Sequence, residues 1–381
     1  MRTLSAYIHI PFCASRCGYC DFNTYTAAEL QRDGTSITAQ TYPVRVIAEI
    51  GLQKAALDES REISTVFFGG GTPTLLQAHD LNRVIAKIKS EFEVSKDCEI
   101  TIEANPDTVT EDLLTKLREG GFNRISFGMQ SAVPHVLATL DRTHKPEGVN
   151  KSVELAKKMG FDHISVDLIY GTPGESIADW EISVNSALSM AIDHISAYAL
   201  IVEAGTKLSN QVKRGEVIMP ADDETAEKYR IADDLFASAG FNWYELSNWA
   251  KPGGECRHNI NYWNGSNWWG VGPGAHSFLG NERWWNVKHP SVYQERIDSG
   301  LSPKLAGETL TLENRNDEKI MLQIRLVDGI DRNSLTSVQN ANAAKYLESD
   351  HISHSHWSQG RVVLTQSGRL IADRIVRELM V

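Results

Sequence analysis

Six short runs of β-branched and aromatic residues recur through the first two hundred residues, and helix-patterned stretches separate them. The runs are Tyr7–Ile10, Val66–Phe68, Glu99–Glu103, Arg124–Phe127, His163–Ile169 and His194–Leu200. Between them, Asp80–Phe92, Glu147–Met159 and Ile177–Met190 carry apolar residues at amphipathic helical spacing. Two units share a punctuation, Gly121-Phe-Asn-Arg-Ile-Ser and Gly160-Phe-Asp-His-Ile-Ser, where a glycine suits the left-handed residue that ends a helix. A related stretch, Gly240-Phe-Asn-Trp-Tyr-Glu-Leu, predicts a seventh strand. Alternation of this kind implies an α/β fold of parallel strands with right-handed crossovers, either an open doubly wound sheet or a barrel. In both, a ligand sits at the C-terminal ends of the strands.

The chain has 381 residues, enough for one large domain and a smaller one. Its net charge of −11 argues against a nucleic-acid scaffold, which needs clustered Lys and Arg. The first residues lack the charged and apolar regions of a signal peptide, and no apolar stretch reaches the length of a membrane span. Five cysteines, three of them in one loop, form no disulfide framework, so the expected compartment is the reducing cytoplasm. The texture predicts three segments: 1–235 as the repeated unit, 236–290 as an aromatic-rich connection, and 291–381 as a small C-terminal domain. In the last, Leu312–Leu326 reads as a helix, Asp328-Gly-Ile-Asp as a turn, and the segment from Gly360 as strand, turn and helix. That is a winged-helix-like α+β pattern, expected to act as a lid or docking module rather than on DNA.

The chemistry concentrates in His9-Ile-Pro-Phe-Cys13-Ala-Ser-Arg-Cys17-Gly-Tyr19-Cys20-Asp-Phe22. Three thiolates from one short loop suit either an iron–sulfur cubane with one open iron or a zinc ion. Zinc would want a fourth ligand, and the nearby His9 sits inside an apparent strand. Gly69-Gly70-Gly71-Thr72-Pro73 lets the backbone approach a ligand closely. It lacks the Gly-Lys-Ser/Thr ending of a phosphate loop, and a plain turn is the bland alternative. Glu103, Gln130, Arg142 and Asp167 follow successive apolar runs, where a lone carboxylate is usually a cap or a solvated charge. Further on, Cys256-Arg-His258-Asn259-Ile-Asn-Tyr262-Trp263 precedes a Gly270-x-Gly272-x-Gly274 run and His276. Seven of the nine tryptophans lie between Trp243 and Trp285, so part of this region is a rigid aromatic cluster. The glycine run lacks the spacing and the strand–helix context of a dinucleotide fingerprint. His351, His354 and His356 read as solvated surface more readily than as a metal site, and Cys98 reads as structural.

Cys13, Cys17 and Cys20, with Tyr19 before the last, resemble the cluster motif of the radical S-adenosylmethionine (SAM) superfamily. The resemblance implies a partial (β/α)6 barrel of TIM type and a [4Fe-4S] cluster whose open iron is chelated by SAM. It also implies one-electron cleavage of SAM to methionine and a 5′-deoxyadenosyl radical. By the same resemblance, Gly70, Gly71 and Thr72 contact the methionine amino group and Glu103 holds the ribose hydroxyls. Gln130, Arg142 and Asp167 complete the SAM contacts, and Tyr7 and Tyr19 are cofactor-facing aromatics. Two departures set the branch. True oxygen-independent coproporphyrinogen oxidases carry a fourth cysteine where this chain has Phe22, and they begin with an N-terminal extension, whereas this sequence starts immediately before its first expected strand. His258-Asn-x-x-Tyr-Trp263 is similar to a motif of the HemW-type haem chaperones. That branch implies haem as ligand, apo-haemoproteins such as respiratory-chain enzymes as acceptors, an electron donor for the cluster, and at most peripheral membrane contact. His258 is the expected haem ligand, with Cys256 and His276 as weaker candidates. The rivals are oxidative decarboxylation of coproporphyrinogen III and a zinc-stabilised binding module.

Overall fold

The protein is described here by a computed structural model covering residues 2–54, 57 and 61–380. Six parallel strands form its centre: β1 (Arg2–Ile10), β2 (Arg61–Gly70), β3 (Glu93–Ala104), β4 (Arg124–Gln130), β5 (His163–Tyr170) and β6 (His194–Ala199). They lie side by side in chain order, as consecutive right-handed crossovers demand. Helices such as α1 (Tyr42–Lys54), α2 (Ala78–Glu91), α3 (Glu111–Gly120), α4 (Pro146–Lys158) and α5 (Ile177–Leu188) separate them, and α6 (Asp222–Ser238) follows β6. In α2 the buried positions Leu81, Val84, Ile85 and Ile88 fall on one stripe, the i, i+3, i+4, i+7 pattern that seats a helix on a sheet. Gly121 (φ 103°) ends α3 and Gly160 (φ 80°) follows α4, both left-handed as their sequence context predicts.

The sheet does not close into a barrel. The stretch expected as a seventh strand does form one, β7 (Asn242–Glu245), but it turns back into β8 (Asn248–Ala250), and it is β8 that pairs with β6, antiparallel. Only Leu246 and Ser247 connect them, and a link that short can join only antiparallel strands. At the other edge β9 (Trp268–Val271) pairs parallel with β1, and β10 (His276–Leu279), β11 (Glu282–Asn286) and β12 (Lys304–Thr309) extend the sheet antiparallel. The aromatic-rich segment is therefore part of the main sheet rather than a connector.

The small unit also starts later than residue 291. Tyr293 and Ile297 pack into the main core, and a separate apolar core runs from Ile320 to Leu379. It holds the helices Leu312–Gln323, Ser337–Glu348 and Ala372–Leu379. Ile330–Asp331, predicted as part of a turn, pairs antiparallel with Arg361–Val362. Among the described residues no helix is long and apolar enough to cross a membrane.

What positions the site is the inner face of the sheet. Along β1, Leu4, Ala6, Ile8 and Ile10 are buried on one face, and by the two-residue period Ser5, Tyr7 and His9 point to the other. On β3 to β6 the second face is polar: Thr101 and Glu103, Arg124 and Ser126, Ser165 and Asp167, His194 and Ser196 all line one cavity. A closed (β/α)8 barrel is usually filled there by branched apolar side chains. Polar filling leaves a void that opens at the strands' C-terminal ends.

Candidate functional site

Past β1 the chain pairs Phe12–Cys13 with Tyr25–Thr26 in a short parallel ladder, so the cysteine loop leaves and returns at one point. Its middle is stitched to distant backbone: Gly18 N–H donates to the Leu140 carbonyl (3.4 Å), and Leu208 N–H donates to the Gly18 carbonyl (2.8 Å). A Cβ on Gly18 would lie 2.5 Å from the Asp141 carboxylate, so a larger residue would have to push that side chain aside. Cys13, Cys17 and Cys20 thereby line a cavity of about 560 Å³. Burial pushes the Cys13 thiol up to about 11 and raises Cys20, so these groups stay protonated until a metal replaces the proton.

His9 does not join them. A carbonyl only accepts, so His9 Nε2 carries a proton to the Asn23 oxygen (2.8 Å), and Nδ1 receives the Tyr7 hydroxyl (3.1 Å). Among the described residues no three Cys, His, Asp or Glu side chains converge on a point where one ion would sit. Three soft sulfur donors on one wall are what a cluster with an open corner takes from a protein.

The glycine loop after β2 faces the same space. Gly70 N–H donates to Glu103 Oε2 (3.0 Å), Gly71 N–H to the Ile10 carbonyl (2.7 Å) and Thr72 N–H to the Phe12 carbonyl (2.7 Å). All three amides are consumed by the protein and the Thr72 carbonyl takes the Leu75 N–H (3.0 Å), so a backbone group left for a ligand is a carbonyl of Gly70 or Gly71. Such a loop accepts hydrogen bonds, so it suits an ammonium group and cannot cradle a phosphate through these N–H groups. A Cβ on Gly71 would stand 2.4 Å from the Phe12 oxygen, so only glycine lets the loop lie against the cysteine segment.

Glu103, Gln130, Arg142 and Asp167 come together in the cavity, as does Tyr19. Burial, reinforced by the Asp167 carboxylate, pushes Glu103 up to about 7. Burial also raises Asp167 to about 6, against hydrogen bonds from Ser196 and Ser126, whose hydroxyl lies 3.0 Å away. Arg142 reaches Cys17 Sγ (3.5 Å) through one nitrogen and the Gly128 carbonyl (2.8 Å) through another. Phe22 is 64% exposed at the mouth of the cavity, and Ile201 stands there with it.

Other expected residues lie elsewhere. Tyr7 sits behind the cavity, on His9 and against Phe67. His258 is 1% exposed, with Nδ1 bonded to Thr65 (2.8 Å) and Nε2 to Tyr262 (3.1 Å), and both of its ring nitrogens are taken. It belongs to the packing under β2, and an axial ligand needs a free nitrogen. His276 stacks on Trp285 along the β10–β11 ladder, away from the cavity. Cys256 does line the cavity, together with Asn259. His351, His354 and His356 bond to Ser349, Asp350 and Ser353 in their own loop.

Sequence reasoning missed the floor. Arg124-Ile-Ser126, His163-Ile-Ser165 and His194-Ile-Ser196 repeat one triplet on three adjacent strands, and all three serines reach the cavity. That repetition was the available signal.

Comparison with known proteins bears on this geometry. Residues 7–187 match the Radical SAM superfamily. The solved structure of coproporphyrinogen III oxidase (HemN) from Escherichia coli, a radical SAM enzyme, superposes with a TM-score of 0.83 at 21% identity, covering 99% of this chain and 90% of that one. The fold is thus that of the radical SAM proteins. At sequence level, heme chaperone HemW of Mycobacterium tuberculosis is 44% identical over 379 residues, covering 100% of this chain and 95% of that one. HemW of Bacillus subtilis is 34% identical, with 97% of each chain covered. The chain belongs to the HemW family.

Proposed function

We propose that this chain is a cytoplasmic haem chaperone, which binds haem beside a [4Fe-4S] cluster and SAM and hands it to apo-haemoproteins. The observation that carries the reading is the end-to-end likeness to HemW at 44% identity, because the likeness to the oxidase structure concerns the fold alone. Cys13, Cys17 and Cys20 hold the cluster, and a cluster with one corner free of cysteine supplies an open iron and a single electron. The loop Gly70-Gly71-Thr72, its backbone amides already used, takes the ammonium of SAM. Glu103 accepts from the ribose hydroxyls, and Gln130, Arg142 and Asp167 close round the rest, with Arg142 also steadying Cys17. Haem is received at the cavity mouth, where Phe22 and Ile201 offer apolar surface. His258 is not carried forward as its ligand. The acceptors include respiratory-chain enzymes, reached without more than peripheral membrane contact, and a separate electron donor reduces the cluster.

The test mixes anaerobically reconstituted, haem-loaded protein with an apo-haemoprotein and follows the acceptor's Soret band, with 5′-deoxyadenosine measured in parallel. Transfer that depends on the reconstituted cluster is expected. Decarboxylation of coproporphyrinogen III without haem transfer would overturn the chaperone reading in favour of the oxidase.

A further inference from the structure

The end of β4 is built on strain. Ser131 N–H donates to the Met129 carbonyl at 2.8 Å, with Gln130 between them at φ 62°. A bond from one residue to the second before it, closed over a positive φ, is the rare and strained form of γ-turn. A non-glycine residue there costs free energy unless its surroundings fix it. The β4–β5 register slips at the same place: Gly128 pairs with Asp167 but Gln130 pairs with Leu168, so Met129 is bulged. The slip and the turn together put the Gln130 side chain at the cavity.

The support comes from outside the turn. His144 Nε2 lies 3.0 Å from the Met129 carbonyl, which can only accept, so the ring donates there. Arg142, two residues earlier, donates to the preceding carbonyl, that of Gly128. One tripeptide therefore grips two consecutive carbonyls of the strand end. From the far side, Ser183 on α5 bonds Ser131 Oγ (3.0 Å) and accepts from Ala132 N–H (3.0 Å), while Ser131 Oγ accepts from Val133 N–H (3.1 Å). His144 and Ser183 are both buried. Burial, with the Arg142 charge beside it, lowers His144 to about 4, so the donor role is held by a neutral ring across the working range of pH.

We propose that His144 and Ser183 are positioning residues for the cofactor site: they hold the strained turn that presents Gln130 to SAM. The proposal rests on the reading of Gln130 as a SAM contact. Neither residue lines the cavity, so each acts through the turn that carries Gln130.

The experiment uses the full, reconstituted chain with variants Gln130→Ala, His144→Leu, His144→Gln and Ser183→Ala, and the double variant His144→Leu/Gln130→Ala. SAM affinity is measured by calorimetry, and the electron-paramagnetic-resonance change of the reduced cluster on SAM addition is recorded. Loss of one supporting hydrogen bond is expected to weaken SAM by about tenfold in His144→Leu and in Ser183→Ala. His144→Gln, which keeps an N–H donor, is expected to recover most of the loss. The double variant is expected to bind no more weakly than Gln130→Ala, because the two changes act on one contact. Wild-type SAM affinity in His144→Leu and Ser183→Ala, with Gln130→Ala impaired, overturns the positioning role. So does a double variant whose losses add, since that marks a general disturbance of the fold. Wild-type affinity in Gln130→Ala instead overturns the reading of Gln130 itself. His144→Gln keeps the test valid should His144→Leu fail to fold.

Discussion

Arg369 of the C-terminal unit reaches into the large domain and grips Asp233 of α6 through both oxygens, at 2.9 and 2.5 Å. The same carboxylate accepts from Trp249 Nε1 (2.7 Å) and Gln366 (2.8 Å), and the guanidinium lies over the Trp243 ring, 4.4 Å from its centroid. Opposing burial, these partners hold Asp233 below the usual carboxylate range. The small unit is therefore fastened to the sheet's hairpin edge, β7–β8, by this buried fork together with backbone pairing there, where Val327 N–H donates to the Tyr244 carbonyl (2.9 Å).

Replacing Arg369 by Ala leaves Asp233 buried without its cation. Breaking such a pair from one side costs about 3–5 kcal/mol. Urea unfolding of Arg369→Ala is expected to show this loss, with the C-terminal core melting first. Lys at 369 recovers only part, since it keeps the charge but not the planar fork. A variant as stable as the parent would mean that the fork adds nothing to the unit's backbone pairing and apolar contacts.

Glu103 and Asp167 give the site a pH dependence. Burial raises them from ordinary values of 4.5 and 3.8 to about 7 and about 6, and their mutual repulsion makes them titrate as a pair. The folded protein thus keeps protons that the unfolded chain has lost. This stabilisation is complete below about pH 4 and disappears as pH rises through 6 and 7. Binding runs the other way, because cationic SAM and its ribose hydroxyls favour the ionised pair. SAM affinity is expected to rise from about pH 5.5 to about pH 8, by up to about tenfold per unit for each proton released. Glu103→Gln should flatten that profile, and calorimetry across the range reads it directly.

The parts of this fold legible in the sequence were those written in local chemistry. Gly121 and Gly160 announce their helix ends because only a left-handed residue fits there. The Cys-x3-Cys-x2-Cys spacing puts three thiols on one short loop, and the structure lines one cavity with them. The parts that were not legible depend on partners far away in the chain. His258 looks like a free imidazole until Thr65, 193 residues earlier, is found on its Nδ1. The glycine loop could offer a ligand either N–H or C=O groups until its amides are found spent on Ile10, Phe12 and Glu103. Nothing near Gln130 in sequence signals its positive φ, since the groups that enforce it come from the 140s and from α5.

Gly71 joins the end of β2 to the start of the cysteine loop. With its Cβ 2.4 Å from one backbone oxygen and 3.0 Å from a second, Gly71→Ala must push the two segments apart and break the Gly71 and Thr72 bonds. Overpacking of this kind costs about 1–3 kcal/mol. Iron content after anaerobic reconstitution is expected to fall with it, because Cys13 moves with Phe12. Gly51→Ala is the control: it lies within α1, where its Cβ would meet only the Lys87 side chain, at 3.7 Å. That change should raise stability slightly and leave iron content alone.

His258 separates a ligand from a packing residue. Were its Nε2 to bind haem iron, the ring would have to surrender the Tyr262 bond and come out from a position that is 1% exposed. Burial holds it neutral, at about 4. His258→Leu removes the ring and strands the Thr65 hydroxyl, and leaving buried polar groups unpaired costs about 1–3 kcal/mol. Stability is therefore expected to drop while haem affinity and Soret position stay those of the parent. Haem spectra that change with stability intact would restore His258 as the axial ligand. They would also require α7 (Arg257–Trp263) to swing away from β2, breaking the 2.9 Å bond from His258 N–H to Glu99 and exposing its amides to hydrogen exchange.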